Sequence, residues 1–303
     1  MIRLGLCCIF REVPVRFKQT TAAALKKIGR PEQLRKVSGL CLSNLENLLE
    51  ALQWLLQHEI RAFRVLSPLF PRYTHPETAY SLAELPQSDE IVEAARRIRA
   101  FSRENDIRLS LHPDQFNVLS SPHRQVVDNT CRELEYQGLL ADLIGAEVIN
   151  IHVGGVYGDK ASALSRFAAN FARLSERVRS RLTVENDDLS YSPEDLLLLC
   201  RTLQIPFVYD VHHHRCLPDS LSEQEATEEC MESWRCRSGE PYFHVSSPRN
   251  GWQGGDPRPH ADFIDPLDFP EIWYKLQVTV DVEAKAKELA VLKLYRDLQD
   301  MIV

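Results

Sequence analysis

The sequence predicts an α/β protein folded as a single (β/α)8 TIM barrel, on two observations. Short apolar, β-branched runs alternate with helical segments about eight times along the 303 residues, the order of a parallel-sheet protein. Most of these runs also end on a residue type that binds metal, as expected where a barrel gathers its chemistry at the carboxyl ends of its strands. An open doubly wound sheet is the alternative. It requires a glycine-rich phosphate loop after the first strand, where Ile9-Phe10-Arg11 stands instead.

The elements follow in order. Ile2 to Ile9 reads as the first strand, followed by a basic loop and a helix over 20–36, an insertion at the N-terminal part of the barrel. Leucines at 45, 48, 49, 52, 55 and 56 fall at helical spacing, so Ser43 to Gln57 is expected to be an amphipathic helix capped by Ser43. Ala62 to Leu66 is the second strand, and a proline-rich loop over 67–86 carries His75. A helix over 90–105 leads to the strand Arg108–Leu111 and then His112, and a helix over 124–144 follows. The clearest strand is next: Val148, Ile149 and Ile151 lie between Gly145 and Gly154-Gly155 and end on His152. A helix is expected over 161–179, then a strand Leu182–Val184 ending on Glu185, and a helix opened by Ser192-Pro193. Pro206 to Tyr209 leads to Asp210, Tyr242 and Phe243 lead to His244, and Val278 to Val282 leads to Glu283. A last helix places Ala286, Leu289, Ala290, Leu294 and Leu298 on one face. Residues 1–303 are expected to form one domain with loop insertions at the C-terminal face of the barrel.

A hydrophobic fraction of 44% permits a full core. The eight cysteines contain no CxxC pair and read as reduced thiols of a cytoplasmic protein. No signal peptide and no membrane-length apolar run is expected, and no feature points to a protein partner, so a monomer is expected. Net charge is −7, which by itself argues against nucleic acid. The charge is uneven: residues 11–36 hold eight Lys or Arg, whereas 219–232 hold six acids and no base. Either run read alone is a solvated surface.

His112, His152, Glu185, Asp210, His244 and Glu283 stand at the ends of strands three to eight, and His75, His213 and His260 lie in loops just after strands. Three carboxylates on one cluster repel unless cations lie between them. Imidazole and carboxylate together suit Mn²⁺, Zn²⁺ or Fe²⁺. Nine donors exceed one ion and fit two or three. Asp210 and His213 are one helical turn apart, and at most some of His212, His213 and His214 are expected to point inward. A lone histidine is ordinarily a hydrogen-bonded core residue, and that reading is taken for His58 and His123. Clustered metals suit in-line displacement at phosphorus, so phosphodiester hydrolysis is the natural reaction class. A sugar or sugar-phosphate isomerase or epimerase on the same barrel is the alternative, and it needs fewer ligands. The loop Pro113-Asp114-Gln115-Phe116 offers an amide and an aromatic, either a wedge and base contact for DNA or, for Phe116, a core side chain.

The chain resembles the UV-damage endonuclease family. The resemblance rests on LHPDQF (111–116), IHVGGVYGDK (151–160), ENDD (185–188), YDVHHH (209–214), HVSSP (244–248), HADFI (260–264) and DVEAKAKE (281–288), with LFPRYTHP (69–76) fitting more loosely. It implies a metal-dependent barrel that nicks duplex DNA on the 5′ side of UV photoproducts and so initiates excision repair. A metal-activated water would attack in line, on two or three divalent ions, most simply Mn²⁺. The implied ligands are His75, His112, His152, Glu185, Asp210, His213, His244, His260 and Glu283, with Glu185 and Glu283 catalytic and Glu185 bridging. Gln115 and Phe116 match the pair that probes the damaged strand, with Phe where the family usually has Tyr. Two departures stand out. Tyr242 replaces a modified lysine that some members carry two residues before the counterpart of His244, which makes a non-catalytic lesion binder the further alternative. Leu6-Cys7-Cys8-Ile9-Phe10 stands where members commonly present an aromatic and an amide after strand one, so lesion contacts from that loop are not expected to follow the family.

Overall fold

The computed structural model describes residues 2–302. Eight parallel strands close into a barrel in sequential order. They are β1 (Arg3–Cys7), β2 (Ala62–Val65), β3 (Arg108–Leu111), β4 (Val148–His152), β5 (Leu182–Glu185), β6 (Phe207–Asp210), β7 (Tyr242–Val245) and β8 (Thr279–Val282). Pairing of β8 with β1, Val280 opposite Leu4, seals the ring. The helices are α1 (Ala22–Lys26), α2 (Arg30–Gln57), α3 (Ser88–Glu104), α4 (Arg124–Ile144), α5 (Lys160–Phe171), α6 (Glu176–Arg179), α7 (Pro193–Leu203), α8 (Val211–Cys216), α9 (Glu223–Ser233) and α10 (Glu288–Ile302). None among the described residues is long and apolar enough to cross a membrane.

The strands are short and buried on both faces, so hydropathy alone does not separate inside from outside. The period of two does. Phe63, Val65, Leu109, Leu111, Ile149 and Ile151 are buried members of the apolar core cluster. The alternate residues reach across the barrel interior: Arg64 of β2 meets His244 of β7, and Arg108 of β3 meets Thr279 of β8. Gly5 of β1 is required there, because a Cβ at that position would collide with Asp281 Oδ1.

Several expected boundaries are corrected. Ser43 is no cap: α2 runs unbroken from Arg30, with Gly29 at its N-cap and Pro31 in its first turn. The ~1 kcal/mol cost of Gly39 in a helix is outweighed by one continuous buried face through Val37, Cys41, Leu45, Leu48, Leu52 and Leu55. The helix expected over 161–179 divides into α5 and α6, and Ser175 at the break donates from its amide and hydroxyl to Glu135. His58 and His123 are not core residues; both are exposed at helix ends, His58 stacked on Trp54. All eight cysteines are free.

Candidate metal centre

Strand alternation brings a layer of ionisable side chains to the C-terminal mouth. At its middle stands Glu185, the last residue of β5, 1% exposed. Its Oε2 lies 3.1 Å from His112 Nε2 and 4.0 Å from His152 Nε2. Its Oε1 lies 3.0 Å from His244 Nδ1 and 3.4 Å from His213 Nδ1. Donor atoms of His112, His152 and Glu185 fall within 4.8 Å of one another, as do those of Glu185, Asp210, His244 and Glu283. Glu185 belongs to both groups. His213 approaches Asp210 Oδ2 at 3.6 Å and His260 approaches Glu283 Oε2 at 3.8 Å. Of the nine expected ligands, eight are thus brought together.

His75 is not. The turn at Arg72 (φ 63°) carries it to the rim, where its Nδ1 accepts from the Glu77 amide. Among the described residues it shares no ion pair or hydrogen bond with the cluster. The run 212–214 is helical, neither a solvated turn nor a strand. Asp210 caps α8 by accepting the His213 amide at 2.8 Å, and that cap aims His213 inward. His214 is engaged by Tyr209 and Asp219, and His212 faces Trp252 and the Arg258 carbonyl.

A layer below supports the cluster, and sequence reading missed it. Asn150 donates to Glu185 Oε2 at 2.5 Å and is itself fixed by Thr183. Asn186 clamps the Asp210 backbone through two bonds of 2.9 Å. Arg64 donates to Glu283 Oε1 at 2.6 Å, Asp281 Oδ2 at 3.0 Å and His244 Nε2 at 2.9 Å. The available signal was a polar residue inside a short apolar strand, one or two positions before its end: Arg64 in AFRV, Asn150 in VINIH, Asp281 in TVDV.

Burial by itself would raise Glu185, but His244 and His152 beside it hold its pKa well below the usual carboxylate range. Burial opposes charge on His213 too, yet Asp210 and Glu185 push its pKa well above the ordinary value. His152 goes the other way: burial lowers it, against Glu185. Glu283 is held low, against burial, chiefly by Arg64 and His244.

The donor set fits divalent cations. Buried Asp210 Oδ2 and His152 Nδ1 lack hydrogen-bond partners, a cost that a cation relieves. His112 sets Nδ1 against the Pro113 carbonyl and turns Nε2 toward Glu185, the arrangement of a ligating imidazole, whereas His213 sets the same Nδ1 that faces Glu185 against the Asn186 carbonyl. His244 fits less well. A guanidinium only donates, so the Nε2 it touches is unprotonated, and the hydrogen of a neutral ring sits on Nδ1, the atom facing Glu185.

The loop after His112 folds on Asp114, which accepts the Phe116 amide at 3.2 Å. Gln115 is exposed, and Phe116 is 76% exposed, not a core side chain. Both border a cavity of about 680 Å³ whose floor includes His152 and His213. After β1 the chain turns Phe10 inward against Phe63 and Trp54 and exposes Ile9. Tyr242 lies buried in the barrel with the Arg108 guanidinium 4.3 Å from its ring centre.

A family model described as UV-endonuclease UvdE matches residues 2–302. The UV DNA damage endonuclease of Bacillus velezensis is 32% identical over 300 residues, covering 96% of this chain and 91% of that one. The crystal structure of SacUVDE superposes with a TM-score of 0.86 at 30% identity, covering 100% of this chain and 99% of that one. Endonuclease IV from Thermus thermophilus shares the fold, at TM-score 0.61 and 17% identity over 99% of this chain and 98% of that one.

Proposed function

This chain belongs to the UV-endonuclease UvdE family and is a DNA endonuclease, and from that premise we propose that it nicks UV-damaged duplex DNA on the 5′ side of photoproducts, using divalent cations. The observation that carries the reading is the division of Glu185 between two donor groups, one oxygen toward His112 and His152, the other toward His213 and His244. A carboxylate so placed would hold a cation at each oxygen.

The proposed ligands are His112, His152, Glu185, Asp210, His213, His244, His260 and Glu283, for two or three cations, with Mn²⁺ suited to the mixed imidazole and carboxylate set. His75, set at the rim, and His244, in contact with Arg64, are the two whose ligation calls for its own test. Cation counts on His75→Ala and His244→Ala test both. When bound, the cations supply activation of water and neutralisation of the departing oxygen. The chain's own residues do the rest. Glu185 and Glu283 would hold the cations and orient the attacking water, Asn150 and Arg64 fix those two carboxylates, and Gln115 and Phe116 would engage the damaged strand. Residues 1–303 act as one endonuclease domain, a monomer working on DNA in the cytoplasm.

The test uses irradiated and untreated supercoiled plasmid with Mn²⁺ or with EDTA. Nicking is expected only on irradiated plasmid with metal. Selective binding of irradiated DNA that is left intact across several metals would replace this reading with that of a non-catalytic lesion binder.

A further inference from the structure

The cations of the C-terminal rim are of two kinds. Around β4 to β6 they are spent on neighbouring acids: Lys160 on Asp195, Arg215 on Glu223 and Asp268. In the basic segment 11–36, Lys26 pairs with Glu77, Arg30 with Glu84, and Arg16 donates to the carbonyls of Val13 and Val15, whereas Lys18, Lys27, Arg35 and Lys36 have no ion pair among the described residues. Between the loops after β2 and β3 two unpaired arginines converge on one cavity. Arg72 and Arg132 are exposed, and among the described residues neither has an ion pair. They line a cavity of about 440 Å³ together with Gln19, His75, Asn117 and Asn129. The one carboxylate there, Glu133, is engaged on both oxygens, by the Thr74 hydroxyl at 2.5 Å and the Gln137 amide at 2.7 Å.

The cavity is built, not a scatter of surface charge. Arg72 is anchored through Nε to the Thr20 carbonyl at 2.8 Å, Gln19 to the Pro68 carbonyl at 2.9 Å, and Asn117 to the Asp114 carbonyl at 3.0 Å. It also adjoins the centre. The Ser67 hydroxyl donates to the His112 carbonyl at 2.7 Å, and Asn117 directly follows Phe116. The wall of this cavity thus continues directly from the loop that carries Gln115 and Phe116.

We propose that Arg72 and Arg132, with the side-chain amides of Gln19, Asn117 and Asn129, form a subsite for the phosphate backbone of the strand that Gln115 and Phe116 engage. The inference rests on the DNA-directed reading above. Guanidinium and amide donors fix the register of a protein on its duplex without reading sequence, and each phosphate neutralised releases counterions, which gives binding its dependence on salt.

The test measures binding of the full chain to labelled duplexes, irradiated and untreated, over a range of salt. Arg72→Ala and Arg132→Ala are each expected to lower the slope of log K against log salt by about 0.9, to weaken both duplexes by the same factor, and to leave the metal content unchanged. Arg103→Ala, at the opposite end of the barrel, is expected to keep the wild-type slope. A double variant with the wild-type slope overturns the subsite, as does an equal loss in Arg103→Ala. Nicking by the wild type with an unchanged slope in the double variant removes the subsite alone. A slope that depends on both arginines without nicking keeps the subsite and removes the endonuclease mechanism.

Discussion

The two ends of the barrel interior are both built from charged side chains, and they are organised in opposite ways. At the N-terminal end Arg108 donates to Glu147, to Thr279 and to the Glu240 carbonyl, and Arg3 and Thr279 donate to the Glu240 carboxylate. None of these five side chains has a buried polar atom without a partner. At the C-terminal end Asp210, His152 and His244 each have one. The N-terminal network closes on itself except at the neighbouring Tyr242 hydroxyl, and the C-terminal one is open at several donors and acceptors at once. The same amino-acid types thus serve stability at one end and binding at the other, according to whether their valences close on each other.

Removing the centre of the open network has the largest expected effect. Glu185→Ala is expected to lower nicking by ~10³-fold or more while the folded protein melts near the wild-type temperature. A folded variant, free of host nuclease, that nicks at the wild-type rate would end the assignment of Glu185. At the closed end the consequences reverse. Arg108→Met leaves Glu240 short of a cation and is expected to cost ~3 kcal/mol of stability in urea unfolding, with metal affinity kept. Lost metal affinity at full stability would erase the contrast between the two ends.

Arg64 lies between them, and Arg64→Met sharpens where the boundary runs. With Glu283 no longer held, metal affinity by titration is expected to fall ~10–100-fold. Unchanged affinity would assign Arg64 to the closed network. The smallest effect is expected at Lys160, whose pair with Asp195 ties the start of α5 to the capping box of α7. Lys160→Met is expected to cost under ~1 kcal/mol and leave nicking unaltered; a slower reaction would extend the working site to that bridge.

Most of the open end is legible in the sequence because its members stand last in their strands, where apolar runs stop at His152, Glu185 or Asp210. Arg64 and Asp281 are hidden for a physical reason. In a four-residue strand buried on both faces, one charge reads as an interruption, and only the closed barrel shows that every second side chain enters the interior. The length of α2 is hidden because glycine propensity is local and the buried face that overrides it is not. His75 illustrates the converse: the residue type suits a ligand, and the structure sets it apart from the cluster, after the left-handed turn at Arg72.

Asp210 shows how narrow the tolerance of such a centre is. One of its oxygens caps α8 and the other faces the cluster without a partner. Asparagine keeps the acceptor and surrenders the charge; glutamate keeps the charge and overshoots the amide of His213. Each neighbour in sequence space forfeits one of the two duties, so at this position a single amino acid satisfies both folding and chemistry, and drift has nowhere to go.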